Sequence, residues 1–366
     1  MILFAFLYIF IFFLFYMYGW ITQLRVSSTI VFSSFIFFAL AYGLIGYNII
    51  PPVGWDLHRH YELLDVARKH GIEFIFFDSL YKGQLGSALL FSIIALLPSN
   101  QFLPFLTIFI EYVILGYIVT DYASRKGLGV RDIFIALIFH LTLCNIAWVL
   151  STIRQPFALS IVSLAVYLDL ERKKKISIVF YILSVLIHPS CLGVFLLILL
   201  FHIFRKNTFI PFLLLGWSYF SNQIGSILIS TNIRFLSYIG SMLIGYVNYT
   251  QGSYEDNRPV IMNLIILLSF AGLIINELYK KKNKDMSLRF LLWSIAFTIG
   301  CFASQQIFMR YCMFISFIPY SILNCFSINR KTKYVVKKLD LFLLFFFFGM
   351  FLFQLVQATS HGAVLN

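Results

Sequence analysis

Residues 151–170 read STIRQPFALSIVSLAVYLDL. One arginine, Arg154, opens an apolar run that continues to Leu170, and Pro156 falls where a first helical turn accepts it. A charge at hydrocarbon depth costs about 3 kcal/mol or more, so an arginine in such a run marks function by default. The apolar run after it ends in Val185-Leu186-Ile187-His188-Pro189-Ser190, with a lone histidine. The span from Arg154 and the span to His188 are joined by the basic turn Arg172-Lys173-Lys174-Lys175. Two helices linked this way bring Arg154 and His188 to the same membrane surface.

Composition extends this reading to the whole chain. It is 60% hydrophobic and 12% charged, against about 25% charged in soluble domains, with a mean hydropathy of +0.88. The apolar runs are continuous rather than alternating, which excludes a barrel and leaves an all-α polytopic membrane protein. The net charge of +13 would suggest nucleic acid in a soluble protein. Here it is a topology signal, and no nucleic-acid partner is expected. Cys144, Cys191, Cys301, Cys312 and Cys325 have neither disulfide nor metal spacing and read as packing residues. Met1 to Trp20 lacks a basic n-region and reads as a retained helix, not a cleaved signal peptide.

Spans are predicted at about 1–20, 29–48, 102–120, 133–150, 154–170, 176–188, 190–204, 209–221, 259–279, 287–304, 308–326 and 340–358. That makes about 12 transmembrane helices in one integral membrane domain, 1–366. Placing the basic clusters in the cytoplasm puts 20 of the 28 Lys and Arg residues there, all but Arg59, Arg68, Lys69, Lys82, Arg154, Arg234, Arg258 and Arg310. This alternation holds only if 86–97, apolar but too short to span, is a re-entrant or outer half-helix within an outer loop at 49–101. Both termini then lie outside. A second outer loop, 222–258, carries Phe235, Tyr238, Ile239, Met242, Leu243 and Tyr246 at the spacing of an amphipathic helix on the outer leaflet. No internal repeat is evident, which argues against an inverted-repeat transporter.

The candidate chemistry sits at the outer ends. Arg154 at an outer helix N-terminus, capped by Ser151 or Thr152, has a guanidinium fork and free backbone N–H groups suited to a diphosphate. The competing reading is an arginine snorkelling to headgroups. His188 reaches the same level, as a phosphate partner, a proton shuttle or a neutral interfacial histidine. Arg310 with Tyr311 repeats the logic at the start of the span 308–326, and two such arginines would clamp one diphosphate. Asp56, after Pro51-Pro52-Val53-Gly54-Trp55, is a candidate base for a sugar hydroxyl, with Arg59 on the same helix face. Tyr61, Gln155 and Arg258 are candidate substrate contacts; a loop salt bridge is the alternative for Arg258. Of the neighbouring histidines, His58 and His60 carry the weaker signal. Glu111 lies mid-span, where a neutral, hydrogen-bonded carboxyl between helices is the alternative to a pathway residue. The sequence has no DxD-like pair on an outer loop, no Walker A loop, no GxSxG elbow and no HExxH, so no metal or other cofactor is expected.

Arg154-Gln155 followed by Ala158-Leu159, the basic turn and His188-x-Ser190, with Asp56, Tyr61 and Arg310-Tyr311, resembles the EpsG-type branch of bacterial polysaccharide polymerases, which are similar to the Wzy O-antigen polymerases. Pro156 stands where a small residue is more usual. The resemblance implies a multi-spanning glycosyltransferase of GT-C-like fold in the bacterial inner membrane, its active site facing the periplasm or cell exterior. Its substrate would be an oligosaccharide repeat unit on undecaprenyl diphosphate, destined for lipopolysaccharide O-antigen or exopolysaccharide. Its expected partners are that lipid-linked oligosaccharide, membrane lipid and a regulator of chain length. A flippase of lipid-linked sugar and a membrane O-acyltransferase are the rival readings.

Overall fold

Lipid leaves a backbone no hydrogen-bond partners of its own, so apolar runs of this length fold as helices. In the computed structural model the described residues are 2–22, 27–78, 84–144, 146–207, 209–233, 236–237, 240–241, 244, 258–281, 285–302, 304–327 and 364–365. They are helical throughout, apart from loops and one two-residue pairing of β1 (Ile49–Ile50) with β2 (Val364–Leu365). Among them, three helical stretches are long and apolar enough to cross a membrane by length and composition: Ser28–Tyr47, Phe102–Lys126 and Val260–Leu278. Shorter apolar helices accompany them.

The chain packs into two units, Met1–Phe195 with Ser316–Asn366, and Leu196–Ile315. The first contains α1 (Ile2–Thr22), α2 (Ser28–Tyr47), α3 (Asp56–His70), α4 (Glu73–Phe77), α5 (Leu85–Ala95), α6 (Phe102–Lys126), α7 (Val130–Leu143), α8 (Ile146–Ser151), α9 (Arg154–Leu170) and α10 (Ser177–Ile187). The centre of this unit is the α2–α6 pair, where small residues let the backbones approach, as membrane helices require. A Cβ on Gly43 would lie 2.9 Å from the Phe105 carbonyl oxygen, and one on Gly116 would lie 2.6 Å from Cβ of Phe35. Phe12, Tyr16, Phe35, Phe38 and Tyr112 fill the space between α1, α2 and α6 with edge-to-face and stacked rings.

One end of this unit is ionic. Arg125 bonds the Tyr167 hydroxyl at 2.8 Å and the Asp121 carboxylate at 3.2 Å, and Tyr167 also donates to Asp121. Glu171 lies 3.8 Å from Arg125, and Arg172 lies 3.7 Å from Asp121. The Arg125 guanidinium also lies over the rings of Tyr122 and Tyr167. This network ties the C-terminal ends of α6 and α9. Arg154 stands at the other end of α9, about 24 Å away at 1.5 Å per residue.

The second unit holds α12 (Ile210–Leu215), α13 (Trp217–Ser230), α14 (Arg258–Lys281), α15 (Met286–Gly300) and most of α16 (Gln305–Ser316), while α11 (Cys191–Phe204) runs from the first unit into the second. Gly300 of α15 sits against the Leu214 carbonyl of α12, and Phe201 packs edge-on to Phe290 and Trp293. The Asn263 amide of α14 reaches the Met309 sulfur of α16 at 3.3 Å.

Several expected helices differ. The run 133–150 is two helices, α7 and α8, because Cys144 turns extended and closes α7 with its N–H on the His140 carbonyl. The run 308–326 is also two, α16 and α17 (Tyr320–Ser327). Pro319 has no N–H and bars the residue before it from helical angles, so the break falls there. The run 209–221 divides at Gly216 into α12 and α13, and α13 continues to Ser230. The span 340–358 and the apolar repeat Phe235–Tyr246 fall mostly outside the described residues. The short segment 86–97 is α5, of 11 residues. At 1.5 Å per residue it is about 16 Å long, half a bilayer core.

Candidate functional site

α5 is the element around which the candidates gather. Gln84 precedes it as N-cap, and the Gln84 side-chain oxygen accepts a 2.9 Å hydrogen bond from the Arg154 guanidinium. One turn along, the Ser87 hydroxyl donates to the Ile187 carbonyl at 2.6 Å, which fixes α5 to the residue before His188. Gly86 permits this approach: a Cβ there would lie 2.9 Å from Ile187 Cγ1 and 3.0 Å from the Ile187 nitrogen. A further turn on, the Phe91 ring lies 4.9 Å from the imidazole of His60, nearly edge-on. The contacts to Arg154, Ile187 and His60 thus fall between Gln84 and Phe91, about 10 Å of helix.

The opposite end of α5 is held by Arg68, which donates to the carbonyls of Ile94 at 3.3 Å and Ala95 at 3.2 Å and to the Asn100 side chain. A basic group on the last carbonyls of a helix satisfies acceptors that have no partner within it. α3 therefore grips α5 twice, with His60 and with Arg68.

α3 starts where it does because of the turn before it. Trp55 N–H bonds the Pro52 carbonyl at 3.2 Å, and Gly54 takes φ 101°, a conformation glycine adopts without strain. Asp56 is the first helical residue, and its carboxylate pairs with Arg59, the shared face that their spacing predicts. Both lie toward solvent. The inner face of α3 is Leu57, His60, Leu63, Leu64 and Ala67, all buried. His60 is the one polar member of that stripe, with 1% of its surface exposed. Burial, and the positive charges of Arg154 and Arg59, hold its imidazole well below the usual histidine range. Tyr61 is half-buried, and its hydroxyl has no hydrogen-bond partner among the described residues. Burial pushes that hydroxyl up, with Tyr47 adding to the effect.

His188 ends α10 in an extended conformation. Its Nδ1 accepts from the Ser190 N–H at 3.2 Å and lies 2.7 Å from the Ser190 hydroxyl. An amide can only donate, so Nδ1 is an acceptor, and the neutral ring carries its proton on Nε2. The His-x-Ser spacing therefore has a mechanical meaning: the serine sets the tautomer and aims Nε2–H away from itself.

The start of α9 departs from expectation. Its N-cap is Ile153, without a side-chain cap, in place of Ser151 or Thr152. The Gln155 N–H is taken by the Thr152 carbonyl at 2.9 Å, and Pro156 has none to offer. The backbone at this helix start therefore offers no cradle of free amides at Gln155 and Pro156, and the Arg154 guanidinium is the group there suited to an anion. Gln155 is 2% exposed, and its Nε2 has no hydrogen-bond partner among the described residues.

Arg310, Tyr311 and Arg258 belong to the second unit. Arg310 lies in the second turn of α16 rather than opening a helix, because α16 begins at Gln305. Tyr311 is buried with its ring 4.8 Å from Phe297. Arg258 begins α14, and its side chain lies outside the described residues. Among the described residues no three His, Cys, Asp or Glu side chains come together as metal ligands. Glu111 is fully buried in α6, but neither carboxyl oxygen has a hydrogen-bond partner among the described residues.

The EpsG family model matches residues 31–364, nearly the whole chain. The chain belongs to the EpsG family. This is a family of the Wzy-like polysaccharide polymerase type, and its members act as glycosyltransferase-like polymerases in membranes. Comparison with characterised proteins and with solved structures gives no match. Within this EpsG-family chain, α5 bonds Arg154 and Ile187, the residue before His188. Sequence reasoning missed Gln84 and Ser87, which make these bonds, and Arg68, which holds the far end of α5, and it undervalued His60. The signal for His60 was present: it occupies the position of an apolar residue in the stripe 57, 60, 64, 67.

Proposed function

We propose that this EpsG-family protein joins oligosaccharide repeat units carried on undecaprenyl diphosphate into O-antigen or exopolysaccharide, at the outer face of the bacterial inner membrane. The growing glycan leaves one carrier for the non-reducing end of a new unit on another, and undecaprenyl diphosphate is released. The scaffold is a membrane bundle of about twelve spans of GT-C-like type, and no metal or cofactor takes part.

The observation that carries this reading is that Arg154 and Ile187, the residue before His188, are held by the same short helix, α5, through Gln84 and Ser87. A diphosphate ester is already an activated leaving group. The site has to hold the charge that grows on it as the glycosidic bond breaks, which is the work of preorganised donors. Arg154 offers a planar fork matched to phosphate oxygens, and Nε2–H of His188 offers a second donor. The sidedness follows from the chain's charges. The basic turn after α9 and the Arg125 network mark the cytoplasmic end, which leaves Arg154 at the outer one.

Arg154→Ala is expected to abolish long-chain polymer and leave single-unit product, read as a ladder on gels of membrane lipid-linked glycan. Arg154→Lys is expected to fail as well, since a point charge cannot bond two oxygens at once. Normal chain length in Arg154→Ala would reject the role. A strain lacking the protein should accumulate one-unit lipid-linked oligosaccharide on the outer leaflet; accumulation on the inner leaflet would mean a flippase.

A further inference from the structure

We propose that His60, and not Asp56, is the group that takes the proton from the attacking sugar hydroxyl. This rests on the polymerase reading above and names the base within the same site.

Three observations support it. His60 is buried in the inner face of α3, where helical spacing calls for an apolar side chain. It sits against the first half of α5, on Phe91, within the same stretch that meets Arg154 and the residue before His188. It lies within electrostatic reach of Arg154 from α9 and Arg59 from its own helix, while α5 presents the uncharged Phe91 to it. Asp56 has a different setting. Its carboxylate is paired with Arg59 on the half-exposed side of α3.

The consequence is chemical. An imidazole that is buried, with two guanidinium groups in electrostatic reach, stays neutral at physiological pH. The Asp56 carboxylate is already engaged by Arg59. A buried neutral base next to the diphosphate-binding arginine also solves a compatibility problem. A second carboxylate close to the leaving group would repel it, whereas a neutral imidazole does not. In the step itself, the acceptor oxygen bonds the anomeric carbon as the carbon–oxygen bond to the diphosphate breaks. The bonding pair leaves with the diphosphate, and the hydroxyl proton passes to the imidazole nitrogen and then to water.

Burial, and then the charges of Arg154 and Arg59, set the pH dependence. Free enzyme should keep its activity well below pH 6.5, the ordinary histidine value, before an acid limb appears. Bound diphosphate offsets Arg154, so the limb for the loaded enzyme should lie at higher pH than the limb for the free enzyme.

The experiment uses purified full-length protein in lipid nanodiscs, with a synthetic lipid-diphosphate oligosaccharide as both donor and acceptor. His60→Gln and His60→Ala should lose about 100-fold or more in rate, the usual contribution of a positioned base. Binding of the lipid diphosphate should change little. Added imidazole should restore activity to His60→Ala, and a series of substituted imidazoles should restore it in proportion to basicity. Rescue on that pattern is something a merely structural histidine would not show. Wild-type rates in His60→Gln would overturn the proposal, as would a folded His60→Ala protein that imidazole does not rescue. Loss of the acid limb in Asp56→Asn rather than in His60→Gln would make Asp56 the base. If the wild-type protein makes no polymer from the lipid-linked substrate, the polymerase reading itself fails, which is a separate result.

Discussion

Gly86 allows a test of the site that removes none of its charged groups. A Cβ at this position would lie 2.9 Å from Ile187 Cγ1, 3.0 Å from the Ile187 nitrogen and 3.0 Å from the Leu186 carbonyl carbon. Comfortable contact between carbons is about 3.5–4.0 Å, so α5 would have to move about 0.5–1 Å from the end of α10. Two of the three obstructing atoms are backbone and cannot rotate aside. Gly86→Ala gains about 1 kcal/mol in helix propensity and loses about 1–3 kcal/mol to overpacking, so the net change in stability is small. The change in function is not small. A displacement near 1 Å within a catalytic constellation costs about 100-fold. Moving α5 carries Gln84 and its bond to Arg154 away from His188. Gly86→Ala should therefore melt within a few degrees of the wild type and polymerise at least ten-fold more slowly, and Gly86→Val should polymerise more slowly again. The assay is the initial rate of chain extension on lipid-linked substrate beside a thermal melt in detergent. A Gly86→Ala protein with wild-type rate would refute the reasoning that the α5–α10 contact sets the site.

Other perturbations address the scaffold and the pH response. Gly116→Leu should unfold the first unit, since even its Cβ would fall 2.6 Å from Phe35 Cβ at the α2–α6 crossing; loss of detergent-soluble monomer checks this. Glu111→Leu should raise the melting temperature, because removing a buried carboxyl with no partner among the described residues recovers about 1–3 kcal/mol of desolvation; a fall would show that the carboxyl is bonded in the membrane. Burial and two arginines lower the folded-state pKa of His60 below its unfolded value of about 6.5. The unfolded chain then binds more protons at acid pH, so this contribution to stability is full above pH ~6.5 and declines as pH falls below it. His60→Gln should flatten that acid loss in a series of melts, and an unchanged slope would remove His60 from the account.

The bundle of α2, α6, α9 and α10 was readable because long apolar runs have one structural solution in lipid. The observed bounds of α9 and α10, 154–170 and 177–187, follow the hydropathy closely. Breaks inside apolar runs were harder. Pro319 and Gly216 are local signals that a hydropathy window averages away, and the end of α7 at Cys144 has no residue that announces it. Arg154 and His188 were legible as polar groups out of place. That α5 holds both Arg154 and the residue before His188 was not, because it depends on Gln84 and Ser87, two ordinary polar residues whose bonds span 70 and 100 positions. Asp56 stood out as an acid after a turn, while His60 showed only as a polar residue at an apolar position of a charged helix; burial separates the two.

The central claim is that Arg154, positioned by Gln84 at the head of α5, grips the lipid diphosphate. The direct measurement is binding of undecaprenyl diphosphate to the purified protein in nanodiscs, competed with inorganic pyrophosphate. The account predicts saturable binding to the wild type, weakened at least ten-fold in Arg154→Ala and less severely in Gln84→Ala. Equal affinity of Arg154→Ala and wild type for the lipid diphosphate would contradict it.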